Sequence, residues 1–158
     1  VRKYCYGSCE EMEEIAEEYG YPIGKWDVSR VADFTRVFAS CSRFSEDIGD
    51  WDVHNATSTE MMFYKAYSFH HNLSKWNVSK ATNMCGMFHH AHNFNGNIEP
   101  WDVSNVIDMS SMFLDARSFN QNLSTWDVSN VTTMGNMFCR AHNFVGDSIG
   151  HWNVSQVT

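Results

Sequence analysis

Apolar residues recur along this chain on a fixed interval. The six tryptophans, Trp26, Trp51, Trp76, Trp101, Trp126 and Trp152, keep one constant spacing that lengthens by a single position before the last. Each is followed by Asp or Asn and then by Val. Phe38, Phe63, Phe88, Phe113 and Phe138 keep the same interval, as do Phe44, Phe69, Phe94, Phe119 and Phe144. Seven of the nine methionines fall in two further columns on the same interval. Self-similarity at a constant interval of roughly 25 residues marks a stacked-repeat architecture. One unit is too small to bury its own Trp, Val, Met and Phe, whereas units stacked in register bury them as columns.

Within a unit the apolar spacing changes character. Leu73, Trp76, Val78 and Ala81 read as L-x-x-W-x-V-x-x-A, and the central W-x-V alternates as a half-buried strand does. Met84, Met87, Phe88 and Ala91 then lie at i, i+3, i+4 and i+7, the stripe of a short amphipathic helix. Each unit therefore predicts a short strand, a turn, about two turns of helix and a return loop that begins at the second Phe. The extra residue of the last interval falls between Phe144 and Trp152 and predicts a loop bulge. The frame matches the leucine-rich-repeat frame with Trp and Val in its central apolar places. The expected fold is a right-handed α/β repeat solenoid, leucine-rich-repeat-like, its strands paired in a parallel ladder.

Residues 1–24 read as an N-terminal capping segment and residues 25–158 as five full repeats plus the start of a sixth. Ser8 and Glu11 fit a capping box, Met12, Ile15, Ala16 and Tyr19 form one apolar stripe, and Gly20 stops the helix. The chain begins at Val1 and breaks off at Thr158 inside a motif, and so reads as processed or partial.

Composition narrows the functional classes. Hydrophobic residues are 43% and charged residues 19%, as in a folded domain. The net charge of −8 opposes binding to a phosphate backbone, so no nucleic-acid partner is expected. No apolar run approaches the ~18 residues of a membrane span, which leaves only peripheral membrane association through a partner. The five cysteines are an odd number, with Cys5 and Cys9 close enough in sequence to bridge.

Candidate chemistry is sparse. The Asp/Asn column that follows the tryptophans (Asp27, Asp52, Asn77, Asp102, Asp127 and Asn153) is expected to bond the backbone of the next turn, a Ca²⁺ ladder being the sharper alternative. Eight histidines include the cluster His89, His90 and His92. They read as polar face residues, with a pH-responsive interface as a further option. Cys85 and His89 stand i, i+4 and supply the alternative of a metal-binding protein built on that region. No nucleophile–base–orienter set, P-loop or nucleophile elbow occurs, and serine recurs by repeat position. Neither an enzyme nor a cofactor is expected.

The stretch WDVSNVIDMSSMFLDARSFNQNLSTWDVSNVTTMGNMF, Trp101 to Phe138, resembles the bacterial surface-protein repeat of about this length. That group is related to BspA-like leucine-rich-repeat proteins and is common in mycoplasma and Listeria lipoproteins, with similar repeats in marine algae and protists. The resemblance covers Lys25 to Thr158 and implies surface or interaction roles rather than a reaction.

The expectation is a non-catalytic protein–protein interaction or scaffolding module with a protein partner. It is either adhesin-like, extracellular or at the cell surface, or an organelle-located peripheral subunit of a large assembly in an alga or protist. The partner-binding positions are the outward, unit-specific residues: Asp50, His54, Lys75 and Glu99 on the strand face, and Tyr64, Lys65, Tyr67, His90, His92, Asp115 and Arg117 on the helix face.

Overall fold

The repeated aromatic positions form continuous ring columns in the computed structural model, which describes Gly20 and residues 22–158. Phe38, Phe63, Phe88, Phe113 and Phe138 stack with centroids 5.4–5.7 Å apart. Phe44, Phe69, Phe94, Phe119 and Phe144 form a second column at 5.6–6.1 Å. Trp76, Trp101, Trp126 and Trp152 form a third, nearly parallel at 6.3–6.4 Å. Rings of the two Phe columns also stack within a unit, Phe88 on Phe94 at 3.8 Å. Offset stacking at such separations adds to the hydrophobic gain of burial. Val, Met, Ala and Leu or Ile of the units fill the space around the rings.

The conformation between these columns is not the expected one. Among the described residues there is no α-helix and no strand. The regular elements are two 3-10 turns, Ile23–Lys25 and Asp147–Ile149, and the isolated parallel bridges Asp33–Ser58, Ser58–Asn83, Asn83–Asp108 and Asp108–Thr133. The chain therefore does not form the α/β solenoid or the strand-lined leucine-rich-repeat frame. The predicted capping helix ends at Tyr19 and lies outside the described residues, as does the proposed Cys5–Cys9 bridge. Cys41 is disulfide-bonded, and Cys85 and Cys139 are free thiols.

The reason lies in where the backbone donors go. In the third unit the N–H groups of Met84, Gly86, Phe88 and His90 donate to the carbonyls of Asp108, Ser110, Met112 and Leu114 in the next unit, at 2.8–2.9 Å. The intervening N–H groups of Met87, His89 and Ala91 close i+3→i turns on Met84, Gly86 and Phe88. A helix would have spent all of these donors on carbonyls four positions back. The turns Met84–Met87 and Phe88–Ala91 each place a left-handed residue third, Gly86 at φ 59° and His90 at φ 60°. That is the type II arrangement, and a helix cannot pass through it. Both positions repeat. Arg36, Met61, Ser111 and Asn136 match Gly86, and Ser40, Lys65, Asp115 and Arg140 match His90, all at φ between 50° and 64°. Apolar residues at i, i+3, i+4 and i+7 thus land on one face of tandem turns as they would on a helix.

The W-x-V segment fails as a strand for a related reason. Trp51 and Val53 are buried and Asp52 is exposed, as alternation requires. The carboxylate of Asp27, however, accepts the Ser29 N–H at 3.0 Å and its hydroxyl at 2.7 Å, and a turn closes from Val31 N–H to Val28 C=O at 2.9 Å. Asp52, Asn77, Asp102, Asp127 and Asn153 repeat the bond to the N–H two positions on. Side-chain capture of the local backbone competes with any ladder. Units are tied here by the indoles instead. The Nε1–H groups of Trp51, Trp76, Trp101 and Trp126 donate to the carbonyls of Ile23, Ile48, Leu73 and Ile98 in the unit before, at 2.8–3.2 Å.

The final interval absorbs its extra residue in the return loop. Gly146, left-handed at φ 79°, leads into the 3-10 turn Asp147–Ile149, and Trp152 still stacks on Trp126 at 6.3 Å. Among the described residues no helix is long and apolar enough to cross a membrane.

Candidate functional site

The left-handed positions also belong to the site, because His90 and Asp115 occupy the same one in successive units. Residues two apart around such a turn, repeated in the following unit, make a two-by-two patch across neighbouring units. His90 and His92 of one unit meet Asp115 of the next, which Arg117 also grips.

Asp115 is the hub. Its backbone is left-handed at φ 54°, a conformation that Asp tolerates better than most residues, and its N–H is held by Cys139 C=O at 2.7 Å. Its side chain is only 6% exposed. Oδ2 meets His90 Nδ1 at 2.8 Å and His92 Nε2 at 3.0 Å. Arg117 donates from Nε to Oδ1 at 3.1 Å and from Nη2 to Oδ2 at 3.2 Å. The Arg117 guanidinium, followed by the two histidines, holds the carboxyl well below the usual carboxylate range despite its burial.

Aromatic rings wall the hub. Tyr67 stacks on His92 at 4.6 Å. Tyr64 meets His89 edge-on at 5.1 Å and lies 6.1 Å from His90, while Lys65 Nζ sits 5.0 Å from the Tyr64 ring centre. His89 in turn lies 4.4 Å from His90. Burial, reinforced by His90, pushes His89 below the ordinary histidine value.

The seven residues assigned to the helical face therefore converge on one connected cluster, although the face is built of turns. The other four do not join it. Lys75 Nζ pairs with Asp50 Oδ1 at 2.7 Å, both exposed. His54 Nδ1 bonds Asp52 at 2.8 Å. Glu99 accepts from Asn122 Nδ2 at 2.7 Å and lines a shallow hollow with Pro100, Asp102, Thr125 and Asp127. Each makes local or neighbouring-unit contacts of the kind that surface polar residues make everywhere.

Among the described residues the Cys85/His89 pair is not part of a group of three His, Cys, Asp or Glu ligand atoms. Burial pushes the Cys85 thiol up, and the one grouping of three His, Cys, Asp or Glu ligand atoms among the described residues is His90, His92 and Asp115. The repeat register places His92 between Tyr67 and Arg117 but does not reveal Asp115 as a buried hub. The one-unit offset of His90 from Asp115, and of His92 from Arg117, is the signal the sequence offers.

The ring columns and the unit-specific cluster around Asp115 define a tandem-repeat protein with a repeated interior and a distinctive patch. In keeping with that, the chain matches the family described as "Mycoplasma protein of unknown function, DUF285" over residues 7–91 and again over 71–158. These matches span nearly the whole chain, and the protein belongs to this family. No curated protein and no solved structure matches it.

Proposed function

We propose that the protein is a non-catalytic interaction or scaffolding module that binds a protein partner through the Tyr64/Tyr67/His90/Asp115/Arg117 patch. The observation that carries this reading is the contrast between interior and cluster. Core positions repeat from unit to unit and serve the stack, whereas the patch is built once, from adjacent units. Tyr and Arg are the side chains that anchor interfaces, because each offers a large flat contact area with polar ends. Repeat proteins recognise partners through such faces. Nothing in the cluster arranges a nucleophile beside a base and an orienting group, so a binding role fits better than catalysis.

Membership of the mycoplasma repeat family and the resemblance to BspA-like surface repeats favour an adhesin-like setting at the cell surface. A peripheral subunit of a larger assembly is the other setting that the same patch serves.

The test is cross-linking and affinity capture from the native source with wild type, with Tyr67→Ala/Arg117→Ala and with Asp50→Ala/Lys75→Ala. A partner retained by the last variant and lost by the first supports the assignment. Equal capture by all three, or loss only with Asp50→Ala/Lys75→Ala, refutes it.

A further inference from the structure

The geometry points to a divalent transition-metal site formed by His90 Nδ1, His92 Nε2 and Asp115 Oδ2, with two ligands from one unit and the third from the next. One ligand atom from each residue lies within 4.8 Å of the other two, and Asp115 Oδ2 stands 2.8 Å from His90 Nδ1 and 3.0 Å from His92 Nε2. Two imidazole nitrogens and one carboxylate oxygen are a donor set for Zn²⁺ and its neighbours, while Mg²⁺ and Ca²⁺ prefer all-oxygen sites. Around a tetrahedral ion with bonds of ~2.0–2.1 Å the ligand atoms stand roughly 3.3 Å apart. The two His–Asp separations, 2.8 and 3.0 Å, need open by only a few tenths of an ångström.

Each ligand is already oriented. Arg117 grips Asp115 Oδ1 through Nε and so keeps the carboxylate aimed, while its longer Nη2 contact to Oδ2, 3.2 Å, must open for Oδ2 to take the ion. Tyr67 stacks on the His92 ring, and Tyr64 and His89 flank His90. Such outer partners fix ring orientation at metal centres. The ring nitrogen that now meets the carboxylate must lose its proton, to the other ring nitrogen if the ring is neutral or to solvent if it is charged. Three protein ligands leave the remaining coordination position to water, as in open zinc sites.

The arrangement occurs at one level of the stack. In the register of His90 and Asp115 the other units carry Ser40, Lys65 and Arg140, and in the register of His92 they carry Ser42, Tyr67 and His142. Among the described residues no other unit pair presents the set. The inference concerns different residues from the Cys85/His89 pair and does not depend on the protein having a partner.

Zn²⁺ alone is the probe, titrated calorimetrically into the full chain at neutral pH. Saturation at one ion per chain is expected. His90→Gln and His92→Gln should each weaken binding by about tenfold or more, while Cys85→Ser and His142→Gln should leave it unchanged. In proton NMR, Zn²⁺ should move the ring signals of His90 and His92 in the unsubstituted chain and leave those of His142 in place, a readout independent of any variant's folding. Absence of saturable binding overturns the site. So does binding that survives the His90→Gln/His92→Gln double substitution, or binding that disappears with Cys85→Ser.

Discussion

The tandem left-handed turns make a prediction of opposite sign to the helix that the sequence pattern suggests, and Ser111 is the place to test it. Ser111 sits third in the turn Met109–Met112, at φ 56°, with its N–H bound to Gly135 C=O at 2.8 Å. A left-handed backbone costs an L-residue about 1–2 kcal/mol through Cβ crowding. Ser111→Gly removes that cost and gives back roughly 0.5–1 kcal/mol in unfolded-chain freedom. The net result is a variant from ~0 to ~1 kcal/mol more stable than wild type. Ser111→Val, β-branched at positive φ, should lose about 2 kcal/mol. The two variants then differ by about 2–3 kcal/mol, or roughly 4–12 °C in melting midpoint for a chain of this size. On a helix the order reverses, because Gly is worse than Val by a few tenths of a kcal/mol. Thermal melts and urea titrations read by tryptophan fluorescence measure the gap. A Gly variant less stable than the Val variant would refute the turn architecture outright.

Two further outcomes follow from named contacts. Trp101→Phe keeps a ring in the column but loses the Nε1–H bond to Leu73 C=O, 2.9 Å long and buried. The bond is worth about 1 kcal/mol and the lost buried area about as much. Urea unfolding should therefore show a deficit near ~2 kcal/mol, against ~3–5 kcal/mol for Trp101→Ala; equal losses would show that the ring itself contributes nothing. Asp115 has a folded pKa depressed chiefly by Arg117, so its stabilisation is complete above the unfolded carboxyl value of ~3.9 and is lost as the pH falls through the folded one. Wild type should accordingly lose more stability than Asp115→Asn on acidification below pH ~4, and parallel pH profiles would contradict the hub assignment.

Much of the interior was legible in the sequence because burial depends on side-chain identity and interval. Trp51, Trp76, Trp101 and Trp126 recur once per unit and are 2–3% exposed, and the paired Phe columns lie beside them. The local backbone was not legible, for a physical reason. Met84, Met87, Phe88 and Ala91 share one face whether the chain winds as a helix or as two successive turns, since both advance the apolar residues by three and four. The distinguishing information lay in Gly86 and Asn136, which tolerate a left-handed backbone, while Arg36 and Met61 at the equivalent places disguise it. Similarly, W-x-V alternates like a strand, and the Asp or Asn between its apolar residues is what turns it away from one. At the site, interval alone puts Tyr67, His92 and Arg117 in successive units, and Tyr67 stacks on His92, whereas the burial of Asp115 depended on the turn geometry that pattern does not specify.

The return loop after Phe144 accommodates one residue more than its counterparts without disturbing the indole above it. Among the described residues the interval lengthens only here, in the loop between the second Phe and the next Trp. An inserted residue there leaves the indole column intact, because the loop and not the stacked rings takes up the extra length. The rest of the coil works like a ruler whose graduations cannot be moved singly.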